Sequence, residues 1–133
     1  MAAAINALPN YTVAILLGWF RSTTVVTPPA AFYVGLYNSD PTDNGTGGAE
    51  LTGLAYSRQA VNWGAVTNRQ MVNAADVVFP IATGNWVGVN YVVLFDAPTG
   101  GNMVAKTALP SVLQVNSGFT ARFLANTLVF GMN

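Results

Sequence analysis

The sequence predicts an all-β domain, an antiparallel β-sandwich or barrel, carrying one short N-terminal α-helix. Three observations predict it. Apolar residues recur at helical spacing only between Asn10 and Phe20, the period changes to two from Ala31 onward, and Gly-, Pro-, Asn- and Asp-rich segments interrupt the later apolar runs at short intervals.

The helix comes first. Pro9 and Asn10 provide a start, with Asn10 as N-cap, and Val13, Leu16, Leu17 and Phe20 follow the i, i+3, i+4, i+7 spacing of one face. Ala14, Ile15, Gly18 and Trp19 make the other side apolar as well, so the helix is expected to be enclosed by its own domain or by a neighbouring subunit. The apolar stretch from Val13 to Phe20 is too short to span a bilayer, and a buried helix is the preferred reading over the apolar core of a signal peptide, since no Lys or Arg precedes it. Thr23 to Pro29 reads as an extended connector. Residues 1–29 are therefore helix and connector, and residues 30–133 the β-region of one domain.

Phe32, Val34 and Leu36 alternate with Tyr33, Gly35 and Tyr37 in the first expected strand. A long loop from Asn38 to Gly53 follows. Further strands are expected at Ala55–Trp63, Asp76–Phe79, Asn90–Asp96, Met103–Ala108, Phe119–Ala125 and Thr127–Phe130, with turns at Asp96–Gly101 and Asn116–Gly118. Trp63, Phe79, Trp86, Phe95 and Phe123 are the expected aromatic core.

Only five acids and five bases occur among 133 residues, with 52% apolar residues. An ordinary domain is about one quarter charged, and a neutral, charge-poor surface associates readily. The composition points to a subunit whose surface is covered by copies of itself or by partners. The absence of histidine and cysteine removes Ser-His-Asp catalysis, thiolate metal sites and disulfides, so no catalytic residue, metal or cofactor is expected. No basic cluster exists to bind nucleic acid, and no segment is expected to insert in a membrane.

The acids collect between Asp40 and Asp96, above all on the loop Asp40–Glu50. Asp40, Asp43 and Glu50 on a Gly-rich loop suggest a calcium alternative, but their spacing does not fit an EF-hand. The preferred reading has the Asp side chains holding turns while Arg58 pins the loop by pairing with Asp40, Asp43 or Glu50.

Read in order, Val34–Asp43, Gly45-Thr-Gly47 with Glu50, Tyr56–Val61, Val78-Phe-Pro80, Trp86 and Leu94–Asn102 resemble a family of small tailed-bacteriophage virion proteins labelled tail fiber proteins. The resemblance runs from about Asn6 to the C-terminus. This chain departs from the family pattern in its richer apolar helix and in the apolar end Leu128–Asn133. The resemblance implies a non-catalytic structural role in the virion, at the tail or as a capsid decoration protein, with other capsid or tail subunits as partners. A homo-oligomer is expected, a trimer being the favoured order, with contacts through Val13, Leu16, Leu17, Trp19 and Phe20. A receptor- or glycan-binding tip, using Tyr37, Tyr56, Trp63 or Trp86, is the alternative.

Overall fold

The computed structural model describes residues 1–5 and 7–132, so Asn6 and Asn133, at the two ends of the resemblance, lie outside the described residues. Among the described residues, one helix, α1 (Asn10–Phe20), stands among nine strands: β1 (Ala3–Ile5), β2 (Phe32–Tyr37), β3 (Gln59–Val61), β4 (Gln70–Val72), β5 (Val77–Val78), β6 (Trp86–Phe95), β7 (Met103–Val115), β8 (Arg122–Phe123) and β9 (Leu128–Gly131). The central sheet is antiparallel, in the order β3-β2-β6-β7. A second sheet has the order β1-β9-β4, and β5 pairs with β8. The all-β class with a short N-terminal helix is therefore correct.

Period-two alternation decides what each face of the central sheet touches. Val34 and Leu36 of β2, with Val92 and Leu94 of β6, enter the main core beside Phe79, Trp86 and Phe123. Their neighbours Val93 and Phe95, with Met103, form a smaller cluster against Tyr33 and Tyr37. Of the five expected core aromatics, Phe79, Trp86, Phe95 and Phe123 are buried and Trp63 is partly buried against the main core.

Several elements differ from the sequence reading. β1 and β4 were not expected, being short and lacking a clear alternation, and β1 runs parallel to β9. The N-terminal segment thus contributes a strand as well as a helix. β7 continues through Pro110, well beyond Ala108. Proline is tolerated there because β7 is an edge strand whose pairing is irregular: Tyr91 opposes Ala108, yet Val89 already opposes Leu113.

α1 also differs. Asn10 is its first residue, Pro9 occupies the N-cap position, and no side chain caps the helix. No residue of α1 is buried. Leu17 is 59% and Phe20 74% exposed, so the expectation that the domain itself encloses the helix is overturned. The reason lies in its attachment, which is concentrated in the first turn: the Asn10 N–H donates to the Asp43 carbonyl at 2.9 Å, and Thr12 Oγ1 donates to the Val104 carbonyl at 2.6 Å. At the other end Ser22, in the left-handed region at φ 58°, donates its N–H to the Trp19 carbonyl, while the Thr23 N–H reaches Gly18 O. This is a Schellman closure made without glycine at the left-handed position. Gly18 is needed nearby, since a Cβ there would lie 2.2 Å from Thr24 Oγ1.

Candidate functional site

Two polar nodes tie the acidic loop to the central sheet. In the first, Arg58 Nε donates to Glu50 Oε1 and Nη2 to Oε2, both at 2.8 Å. Nη1 donates to the carbonyls of Ala97 at 3.0 Å and Gly100 at 2.8 Å, in the turn between β6 and β7. The guanidinium carbon stands 3.3 Å from the centre of the Phe95 ring. Arg58 therefore uses both its planar fork and its π-face, which lysine cannot do. The Tyr56 hydroxyl donates to Glu50 Oε1 at 2.8 Å and accepts the Leu36 N–H at 2.9 Å. Burial raises the phenol's pKa, and the adjacent Glu50 charge adds to the effect, so Tyr56 stays a donor. Glycine at position 35 leaves room for this node, because a Cβ would lie 3.0 Å from Glu50 Oε1 and 3.1 Å from the Phe95 ring.

The second node is centred on Lys106 of β7. Its Nζ lies 2.7 Å from Asp40 Oδ1 and 3.1 Å from Asp43 Oδ1. Burial works against the ammonium, but the hydrogen bonds and charges of Asp40 and Asp43 carry its pKa above the ordinary lysine value. The hydrogen bond from Lys106 and the Thr42 N–H hold the Asp40 carboxyl below its ordinary value.

The loop is thus divided differently from the sequence expectation. Only Glu50 pairs with Arg58, whereas Asp40 and Asp43 pair with Lys106. Glu50 is brought beside Arg58 by its bridge to Tyr37 of β2, while the first half of the loop turns back over β7. A signal for this was present in the sequence, since a lone lysine within an apolar strand needs a partner when buried. The ammonium also stands between the two carboxylates that suggested calcium. Among the described residues there is no group of three or more Asp, Glu, His or Cys side chains placed to hold a metal ion.

Between the loop, the first turn of α1 and the β6–β7 turn lies a cleft of about 350 Å³. Tyr37, Phe95 and Met103 of the smaller cluster line it, together with Tyr11, Asn44 and Asn102. The Tyr37 and Phe95 rings are stacked, with centres 6.1 Å apart and planes at 22°. Of the four aromatics expected at a glycan site, only Tyr37 lines this cleft. Trp86 is fully buried, and Tyr56 and Trp63 pack against the main core.

The five apolar residues expected at a subunit contact share the exposed helix: Val13, Leu17, Trp19 and Phe20 are exposed and Leu16 is half-buried. No helix among the described residues is long and apolar enough to cross a membrane.

A family model described as "Podophage GP4 fiber I protein gp80" matches residues 7–131, and no curated protein matches the chain. The match takes in α1, both polar nodes and eight of the nine strands. The chain belongs to this phage fiber family, and its place is in the virion.

Proposed function

We propose that the protein is a non-catalytic structural subunit of a phage fiber, assembling with a second copy of itself through α1 and the connector that follows it. The observation that carries the reading is the uncovered apolar surface at residues 13–26. Leu17, Trp19, Phe20 and Val26 are exposed, and Val25 is 92% exposed. Large apolar side chains left in water are costly, and burying them recovers about 25 cal/mol per Å². Arg21 is the only charged residue in this stretch. A partner selected by charge has little to recognise, whereas an identical copy presents the same neutral, apolar surface.

The absence of histidine and cysteine, and the commitment of Asp40, Asp43 and Glu50 to internal ion pairs, support a structural rather than a catalytic role. Solution mass by light scattering or native mass spectrometry tests the assembly. The wild-type protein should run as an oligomer, and Leu17→Glu combined with Phe20→Glu should reduce it to a monomer that keeps the circular dichroism spectrum of the folded β-domain and loses only the stability that association supplies. A wild-type monomer at micromolar concentration would show that another virion protein covers the helix. Imaging of particles then separates fiber from decoration: a fiber subunit lies at the tail in few copies, a decoration subunit over the head in many.

A further inference from the structure

We propose that the cleft between α1, the acidic loop and the β6–β7 turn binds the ring of a neutral saccharide. The first argument is its chemistry. Tyr11 of α1, 40% exposed, and Tyr37 of β2 put two tyrosine rings on one cleft. Aromatic faces match the apolar C–H face of a pyranose, while the sugar hydroxyls require nearby amide and hydroxyl groups. Asn10, Asn44 and Asn102 supply the amides.

The second argument is preorganisation. The Asp96 carboxylate accepts the Asn102 N–H at 2.7 Å and the Asn102 Nδ2 at 2.9 Å, and Tyr11 Oη stands 3.5 Å from Asp96 Oδ2. One carboxylate thus orients two groups of the cleft before any ligand arrives, which lowers the entropic cost of binding. Asn44 is fixed in turn, its Oδ1 accepting from Thr42 Oγ1 at 2.6 Å and from Thr46 Oγ1 at 2.8 Å. Among the described residues, the Asn10 side-chain amide, the Tyr37 hydroxyl and the side-chain oxygen Oδ1 of Asn102 have no internal hydrogen-bond partner, so they remain to meet a ligand.

Charge selects the neutral ligand. Asp43 lines the cleft and is paired with Lys106, whose own side chain is buried and turned to the two carboxylates. Among the described residues no cationic side chain lines the cleft and Lys106 is already committed to two carboxylates, so an anionic sugar would find no free positive partner. A volume of about 350 Å³ lies at the small end of ligand pockets and suits one or two rings.

The test is a titration of the isotope-labelled protein with the methyl glycosides of glucose, galactose, mannose, rhamnose and N-acetylglucosamine, with methyl glucuronide as the anionic probe, followed by NMR. The expected result is saturable millimolar binding of at least one neutral glycoside, with shifts at Tyr11, Tyr37 and Asn102. Tyr11→Ala and Asn102→Ala should each weaken that binding about tenfold while leaving the thermal midpoint of unfolding nearly unchanged. Absence of saturable shifts with every neutral glycoside would overturn the proposal, as would shifts confined to another surface, unaltered affinity in both folded variants, or tighter binding of the glucuronide. Since Tyr11 and Asn102 lie outside the exposed apolar face of α1, solution mass should not change in these variants, and failure here leaves the assembly reading standing.

Discussion

The guanidinium of Arg58 grips both carboxylate oxygens of Glu50 at 2.8 Å, with the Phe95 ring beneath it and the carbonyls of Ala97 and Gly100 on its remaining donors. A single side chain thereby joins the end of the acidic loop, the approach to β3 and the turn between β6 and β7. Its side chain is only 7% exposed. Removing one partner of a buried pair leaves the other charge without compensation, which costs about 3–5 kcal/mol. Arg58→Ala should lower the free energy of unfolding by roughly that amount, measured by urea denaturation, and should open the Asp40–Glu50 loop to protease. Arg58→Lys should recover little, because one ammonium cannot reach four acceptors in a plane. A loss below about 1 kcal/mol for Arg58→Ala would mark the pair as no stronger than a surface one.

Asn73 is the buried polar hinge of the second sheet. It is fully buried, its Nδ2 donates to the carbonyls of Ala75 and Leu124, and its Oδ1 accepts the Leu128 N–H at 2.9 Å. Asn73→Ala would leave the Ala75 carbonyl and the Leu128 N–H unsatisfied beside β9, at about 1–3 kcal/mol for each such group that water cannot reach, while the Leu124 carbonyl keeps its bonds from Thr127. Chemical denaturation should show a loss of at least about 2 kcal/mol, and hydrogen exchange should accelerate first at Leu128.

The Lys106 node has a pH signature. Asp40 has its pKa lowered by folding, so its contribution is present above the ordinary carboxylate value and lost as pH falls through the lower folded value. Lys106 has its pKa raised, so its contribution is complete below the ordinary lysine value and lost as pH rises through the higher folded value. The node should stabilise the fold between about pH 5 and 9, set by the unfolded values near 4 and 10. Thermal melts across pH should fall less steeply on the acid side in Asp40→Asn than in the wild type. Identical acid limbs would show that Asp40, which is largely solvent-exposed, contributes nothing measurable.

Ser22 and Arg69 occupy left-handed backbone at φ 58° and 63°. Arg69 follows Asn68, at φ 50°, in the two-residue turn closed by Thr67 and Gln70. That turn geometry favours Asn-Gly. Arg69→Gly and Ser22→Gly should each raise stability by roughly 0.5–1 kcal/mol, read as a higher urea midpoint. Lower midpoints would mean that the lost side-chain contacts outweigh the backbone relief.

Position 35 tests the close approach between β2 and the Arg58 node. Gly35→Ala places a methyl group at 3.0–3.1 Å from Glu50 Oε1 and the Phe95 ring. Overpacking of this kind costs about 1–3 kcal/mol, and near-ultraviolet circular dichroism should report movement of the Tyr37–Phe95 stack. An unaltered spectrum with full stability would show that the node yields without loss.

The sequence by itself determined the fold class and most of the central sheet, because both rest on local periodicity. The alternation of Val34 and Leu36 with Tyr33 and Tyr37 sends alternate side chains to opposite faces whatever the neighbours are. The helix at Asn10–Phe20 was legible for the same reason, and scarce charge marked surfaces that favour association. Tertiary structure alone decided the partners. β1 and β4 are strands because β9 pairs with them, and three-residue segments carry too little pattern to announce that. The assignment of Glu50 to Arg58, and of Asp40 and Asp43 to Lys106, depends on where a long loop crosses β7, and sequence distance does not encode that crossing. The cleft has the same origin. Tyr11, Tyr37 and Asn102 lie far apart along the chain and meet where the first turn of α1 is held to the loop and to β7, through the Asp43 and Val104 carbonyls.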